Sequence, residues 1–111
     1  MSDKIIAIIS SSEVGKARTG VAFAMNALKN DWMEQVKVIF FGPAEALLLK
    51  DVEIQRMLKE YQLMEAPVVA CKAIADREGI SAEIAAMGIR VEFVGKMISD
   101  LIKDGYTPMV W

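Results

Sequence analysis

The chain has 111 residues, 54% of them hydrophobic, with 13 basic and 15 acidic side chains, one cysteine and no histidine. That length suits one domain on a scale of roughly 100–200 residues, with a radius of gyration of about 13 Å, and the apolar share exceeds the usual ~45–50% and excludes disorder. The histidine and cysteine counts exclude catalysis by an internal imidazole, a CxxC redox pair, an intramolecular disulfide, and a zinc site built from one chain's thiolates or imidazoles.

Lys4 to Ser10 (KIIAIIS) is a continuous apolar, β-branched run that stops in three serines, as a parallel strand buried on both faces does. Val14, Ala17, Val21, Met25 and Leu28 recur at spacings of three and four and form one stripe of a helix. Val36 to Phe41 (VKVIFF) is a second strand, ended by Gly42-Pro43. Pro43 suits the first turn of a helix, where its missing N–H would be unpaired anyway, and a short helical stretch over Ala44 to Lys50 follows. Asp51 then caps a helix carrying Ile54, Met57, Leu58 and Tyr61. Val68 to Cys71 reads as a third strand with Pro67 at its start, and Lys72 to Glu78 as a short helix ended by Gly79. Ser81 caps a further short helix through Met87, ended by Gly88. Arg90 to Val94 makes strand four. Met97, Ile98, Leu101 and Ile102 form a helical stripe stopped by Gly105, and Thr107 to Trp111 is a last strand that Pro108 makes an edge or an irregular one. Strand and helix alternate five times, which predicts a single three-layer α/β/α domain over residues 1–111 with a mainly parallel five-stranded sheet.

Ligands of such sheets bind outside the carboxyl ends of the strands. Three segments lie there: Ser10 to Gly15, Gly42 to Ala44, and Cys71-Lys72. At the first, the N–H groups opening the helix can hold an anion with help from Ser11, Ser12 and Lys16. The phosphate fingerprints fail, however. Gly15 to Gly20 has G-x-x-x-x-G spacing, but Val21 stands where a P-loop needs lysine, and no G-x-G occurs. Cys71 is the more informative residue, because it ends strand three as the chain turns into a helix. An ordinary thiol of pKa near 8.5 is only about 3% thiolate at neutral pH, and a helix start adds up to about 2 kcal/mol for a partly buried anion, with Lys72 as a further electrostatic helper. The opposing reading is a small core hydrophobe, the common role of a free cysteine. The Met and Leu stripes read as core packing, and Glu45, Asp51, Glu53, Glu60 and Asp76 as solvated polar faces. No cofactor and no metal are expected.

The segment Val69-Ala70-Cys71-Lys72-Ala73-Ile74-Ala75-Asp76-Arg77-Glu78-Gly79-Ile80 resembles the strand-cysteine-helix segment of the DsrE/DsrF-like (YchN-like) family of small sulfur-relay proteins. Phe40-Phe41-Gly42-Pro43 and Gly105-Tyr106 support the likeness, which covers nearly the whole chain. The resemblance implies a five-stranded α/β/α subunit that assembles into trimers or hexamers. It also implies a cysteine after strand three that accepts a persulfide sulfur and passes it on, and this position matches Cys71. Without a second cysteine, the relay needs a donor and acceptor in other proteins or small thiols.

The expected function is therefore a cytoplasmic sulfur carrier or sulfurtransferase-like protein working through Cys71, helped by Lys72. One alternative is a non-enzymatic oligomeric ligand-binding or assembly subunit with an inert, buried Cys71; nucleotide or flavin binding at Ser10 to Gly15 is a third. A mean hydropathy of +0.32 and the apolar end Pro108-Met109-Val110-Trp111 predict a homo-oligomer. A net charge of −2 without a basic tract predicts no nucleic-acid partner. Apolar runs of about five residues, against about twenty for a membrane span, predict no membrane partner, and Ile5 to Ile9 is too short for a signal-peptide core.

Overall fold

All five predicted strands join one sheet; the first three carry the buried apolar runs expected of a parallel sheet covered on both faces, whereas the last is exposed along its length. They are β1 (Lys4–Ile9), β2 (Gln35–Phe40), β3 (Val68–Cys71), β4 (Arg90–Glu92) and β5 (Thr107–Val110). In the computed structural model, which describes residues 3–111, they form one sheet in the order β4-β3-β2-β1-β5. Met1 and Ser2 of the expected domain lie outside the described residues. Every pairing is parallel, a stronger result than the mainly parallel sheet expected from the pattern. Pro108 lies on the edge strand β5, as its missing N–H requires. The radius of gyration is 12.8 Å.

The connecting helices are α1 (Val14–Lys29), α2 (Val52–Leu63), α3 (Lys72–Glu78), α4 (Ser81–Ala86) and α5 (Gly95–Lys103). Their distribution over the two faces follows from strand order. The chain steps from β1 to β2, β3 and β4 in one direction, then returns across the sheet to β5. Right-handed crossovers place the helices of the first three steps on one face and the helix of the reversed step on the other. Accordingly Ala17, Val21 and Ala24 of α1, Ile54 and Leu58 of α2, and Ile84 of α4 bury the first face with Ile5, Ala7, Val38 and Phe40. The second face holds Ile6, Ile8, Ile39, Val69, Cys71, Val94 and Tyr106. It is covered by Met97, Ile98 and Leu101 of α5, a helix with no buried residue of its own. The three layers are thus unequal.

Local chemistry accounts for the element ends, with three departures from expectation. The Asp51 carboxylate accepts from Ile54 N at 3.0 Å and caps α2 as read, and Gly79 ends α3 in the left-handed region, φ +70°. The stretch after Pro43 is a 3₁₀ helix, Pro43–Leu49. Its three-residue period superposes Glu45 and Leu48 on one face, and both are buried. Ser81 opens α4 instead of capping it; Ile80 is the cap residue, and the Ser81 hydroxyl donates to Asp76 across the Gly79 turn. Strand four ends at Glu92, because Phe93 turns outward and Val94 turns in as the cap of α5.

Candidate functional site at the carboxyl end of strand three

Cys71 is the last residue of β3 and the cap residue of α3, with φ −68° and ψ 119°, and no side chain caps that helix. The alternation of a strand sends Ala70 to the first face and Cys71 to the second. The thiol there is 5% exposed, within the apolar cluster beneath the start of α5. Cys71 pairs in register with Glu92 of the edge strand β4, so a carboxylate and the thiol lie side by side on one face. Oε2 of Glu92 sits 2.7 Å from Nε of Arg90, yet this buried oxygen makes no aligned hydrogen bond. The contact is ionic.

Lys72 is half-exposed and points away along α3, where Nζ meets Oδ2 of Asp76 at 2.6 Å. Asp76 accepts from Ser81 as well, and the Lys72 ammonium is the main cause of a carboxyl pKa below the usual range. Lys72 Nζ also stands 5.8 Å from the centroid of the Phe93 ring, which is 67% exposed. The structure therefore brings Cys71, Lys72, Glu92 and Phe93 together at one corner of the sheet, and Asp76 holds the lysine charge.

Ser11 and Ser12 follow β1, and Lys16 lies in the first turn of α1, two strands away from Cys71. Here the N–H groups of Gly15, Lys16 and Ala17 already have partners. The Glu13 carboxylate accepts from Gly15 N at 3.0 Å and from Lys16 N at 2.8 Å, and these bonds hold its pKa below the ordinary value. Ser11 Oγ accepts from Glu13 N, while the main-chain oxygen of Trp111 accepts from Ser10 N and Ser11 N at 2.7 and 3.0 Å. An incoming anion would have to displace the Glu13 carboxylate. Among the described residues, no three His, Cys, Asp or Glu side chains converge as metal ligands would.

Glu45 and Asp51 correct the reading of the helical carboxylates as solvated surface. Asp51 is nearly buried and bonds Arg18 through Oδ1 to Nη2 at 2.6 Å and Oδ2 to Nε at 3.0 Å. Arg18 holds its carboxyl below the usual range. Glu45 is 0% exposed. Its Oε2 receives only a long bond from Gly42 N, 3.5 Å, and its Oε1 has no partner. Burial pushes its pKa up to about 7 against the weaker pull of Gly42 N–H; Glu78 adds to the rise and Arg77 opposes it. The spacing Gly42-x-x-Glu45 is a legible capping signal, but nothing in the spacing distinguishes a buried carboxyl from an exposed one.

Comparison with known proteins matches residues 3–111 to the DsrE/DsrF-like family. Among solved structures, a conserved protein of unknown function from Bacteroides thetaiotaomicron, BT1422, superposes with a TM-score of 0.86 at 20% identity, covering 98% of this chain and 95% of that one. The YchN protein of E. coli superposes with a TM-score of 0.73 at 16% identity, covering 97% and 99%. At these identities the likeness is one of fold. No curated protein sequence matches.

Proposed function

The chain belongs to the DsrE/DsrF-like family, and from that premise we propose that it is a sulfur carrier that accepts and passes on a persulfide sulfur at Cys71. The observation that carries this reading is the position of the chain's single thiol, at the carboxyl end of a parallel strand and the head of a helix without a side-chain cap. In the first step the Cys71 thiolate attacks the outer sulfur of a donor R–S–SH. The donor S–S bond breaks, RS⁻ leaves, and Cys71 holds the sulfur as Cys71–S–SH, with no net oxidation of the pair. A second thiol then attacks that outer sulfur and releases Cys71 as thiolate. With no second cysteine in the chain, the acceptor is a partner protein or a small thiol. Lys72 lends positive charge to the step when it leaves Asp76.

Burial of the thiol at 5% exposure is what favours the opposing reading, an inert core cysteine in an assembly or ligand-binding subunit. Incubation with a persulfide donor separates the two. Intact mass should rise by one sulfur, about 32 Da, in the native protein, and Cys71→Ser should abolish the gain. Equal gain in Cys71→Ser refutes the role of Cys71. A native thiol that resists both sulfur and alkylation, yet reacts on unfolding, establishes the inert reading.

The carrier works as a homo-oligomer, a trimer or hexamer by the family resemblance. The thin cover of the second face supports association: α5 buries none of its residues, and Phe93 and Val110 are each 67% exposed. A monomer mass by light scattering overturns this. A cytoplasmic setting, where thiols stay reduced, suits the chemistry, and among the described residues no helix is long and apolar enough to cross a membrane.

A further inference from the structure

On the first face, a groove of about 540 Å³ lies between α2 and the turn that leads from α4 into β4, a size within the roughly 300–1,000 Å³ of small-molecule sites. Leu58 and Ile89 line it as buried members of the first-face core, and Leu49, Val52 and Met87 add apolar surface. Two side-chain amides brace it. Gln55 donates from Nε2 to Leu48 O at 2.9 Å and ties α2 to the 3₁₀ helix. Gln62 donates from Nε2 to Gly88 O at 3.2 Å and ties α2 to the turn before β4. These braces stand about 10 Å apart along the helix, at 1.5 Å per residue, and hold the groove preformed. Val52 lines it yet is 75% exposed, so apolar surface there faces solvent.

The charges around α2 leave one cation unanswered. Asp51 holds Arg18 at 2.6 Å, Glu60 holds Lys29 at 3.0 Å, and Glu53 takes both Nε and Nη2 of Arg56. Lys59 lines the groove and has no ion-pair partner among the described residues. No carboxylate is among the lining residues, and Glu53 answers the charge of Arg56, so the rim carries one net positive charge. We infer that this groove binds a free monocarboxylate with an apolar chain, its head beside Lys59 and its chain on Leu58, Met87 and Ile89. A phosphate dianion would leave a charge unanswered, and a cationic amphiphile would meet Lys59 with like charge. Cys71 lies on the opposite face of the sheet, so the site stands whether or not the thiol carries sulfur.

Titration of the full chain with octanoate, followed by calorimetry and by the methionine methyl resonances, tests this. Met87 lines the groove, whereas Met97 belongs to the second face and Met109 to β5. One octanoate per chain should bind and shift the Met87 methyl, leaving those of Met97 and Met109 in place. Burying a methylene strengthens association by about 4-fold, so hexanoate, two methylenes shorter, should bind on the order of 10-fold more weakly. Octylammonium, equal in chain and opposite in charge, should also bind more weakly than octanoate. Lys59→Gln should weaken octanoate by about 2–5-fold, the range of an exposed ion pair, while Lys59→Arg keeps it. Absence of binding, a shift centred on Met97 or Met109, equal binding of octylammonium, or an affinity unmoved by Lys59→Gln overturns the inference. Capture by phosphatidylglycerol vesicles without octanoate binding overturns it in favour of a lipid surface. A Met87 resonance that moves on dilution and ignores octanoate overturns it in favour of a contact between copies of this chain.

Discussion

Replacing Glu45 with Gln should remove a pH dependence of stability that a single buried carboxyl imposes. In the folded chain its pKa is about 7, against an ordinary 4.5 that serves for the unfolded chain. The native state therefore binds the proton more tightly, and stability falls with rising pH wherever the native state holds more protons. The contribution is fully present below the unfolded value near 4.5 and is lost as pH rises to and through about 7. A displacement of about 2.5 pKa units, at 1.36 kcal/mol each, sets the loss at about 3 kcal/mol. For a chain of this size that is on the order of 10 °C in melting midpoint. The physical source is the Oε1 atom, buried with no partner, so ionisation places a charge where neither water nor a donor can answer it. Glu45→Gln keeps the volume and cannot ionise, so it should flatten the curve between pH 5 and 8. It costs about 1–3 kcal/mol at pH 5 for an amide donor without a partner, yet matches or exceeds the parent at pH 8. Glu78→Gln should move the midpoint of the parent's loss to lower pH and Arg77→Gln to higher pH, because the first raises and the second lowers the Glu45 pKa. Urea titrations at half-unit pH steps measure all four proteins. Parallel curves for the parent and Glu45→Gln from pH 5 to 8 would refute the reasoning.

Two further substitutions test how the two ends of β2 are held. Gly42 has φ +135°, and a Cβ there would lie 2.5 Å from Ser10 Oγ and 3.0 Å from Ser10 O. Gly42→Ala should therefore cost about 2 kcal/mol or more in urea unfolding; a change within about 0.5 kcal/mol, the range of an ordinary surface substitution, would show that the turn relaxes. The Tyr61 hydroxyl, buried beneath α2, donates to Val36 O at 2.9 Å. Tyr61→Phe should cost about 1 kcal/mol at an unchanged denaturant slope, and undiminished stability would mean that the Val36 carbonyl is satisfied otherwise.

The fold was legible because its signals are local. Ile5 to Ile9 can be buried only by company on both sides, Pro43, Asp51 and Gly79 punctuate helices by backbone chemistry, and strand–helix alternation leaves few topologies open. Ser81 misled because its hydroxyl had two uses, a cap and a bond to Asp76, and the Gly79 turn decided between them. Of the candidate site, the thiol and its neighbour Lys72 could be read from the chain. The pairing of Lys72 with Asp76 also has the i,i+4 spacing that a helix allows. Glu92 could not be read, because it lies 21 positions from Cys71 in the sequence and meets it only through strand register.

The sequence by itself determined that this chain forms a parallel α/β domain with one thiol at the end of its third strand, because hydrophobic period, caps and breakers act within a few residues. Only the tertiary structure decided what surrounds that thiol. Strand order leaves the second face to a single helix and sets Glu92 beside Cys71. It also buries Glu45, whose spacing is silent on burial. Burial and register belong to the packing of distant segments, and no short stretch of sequence contains them.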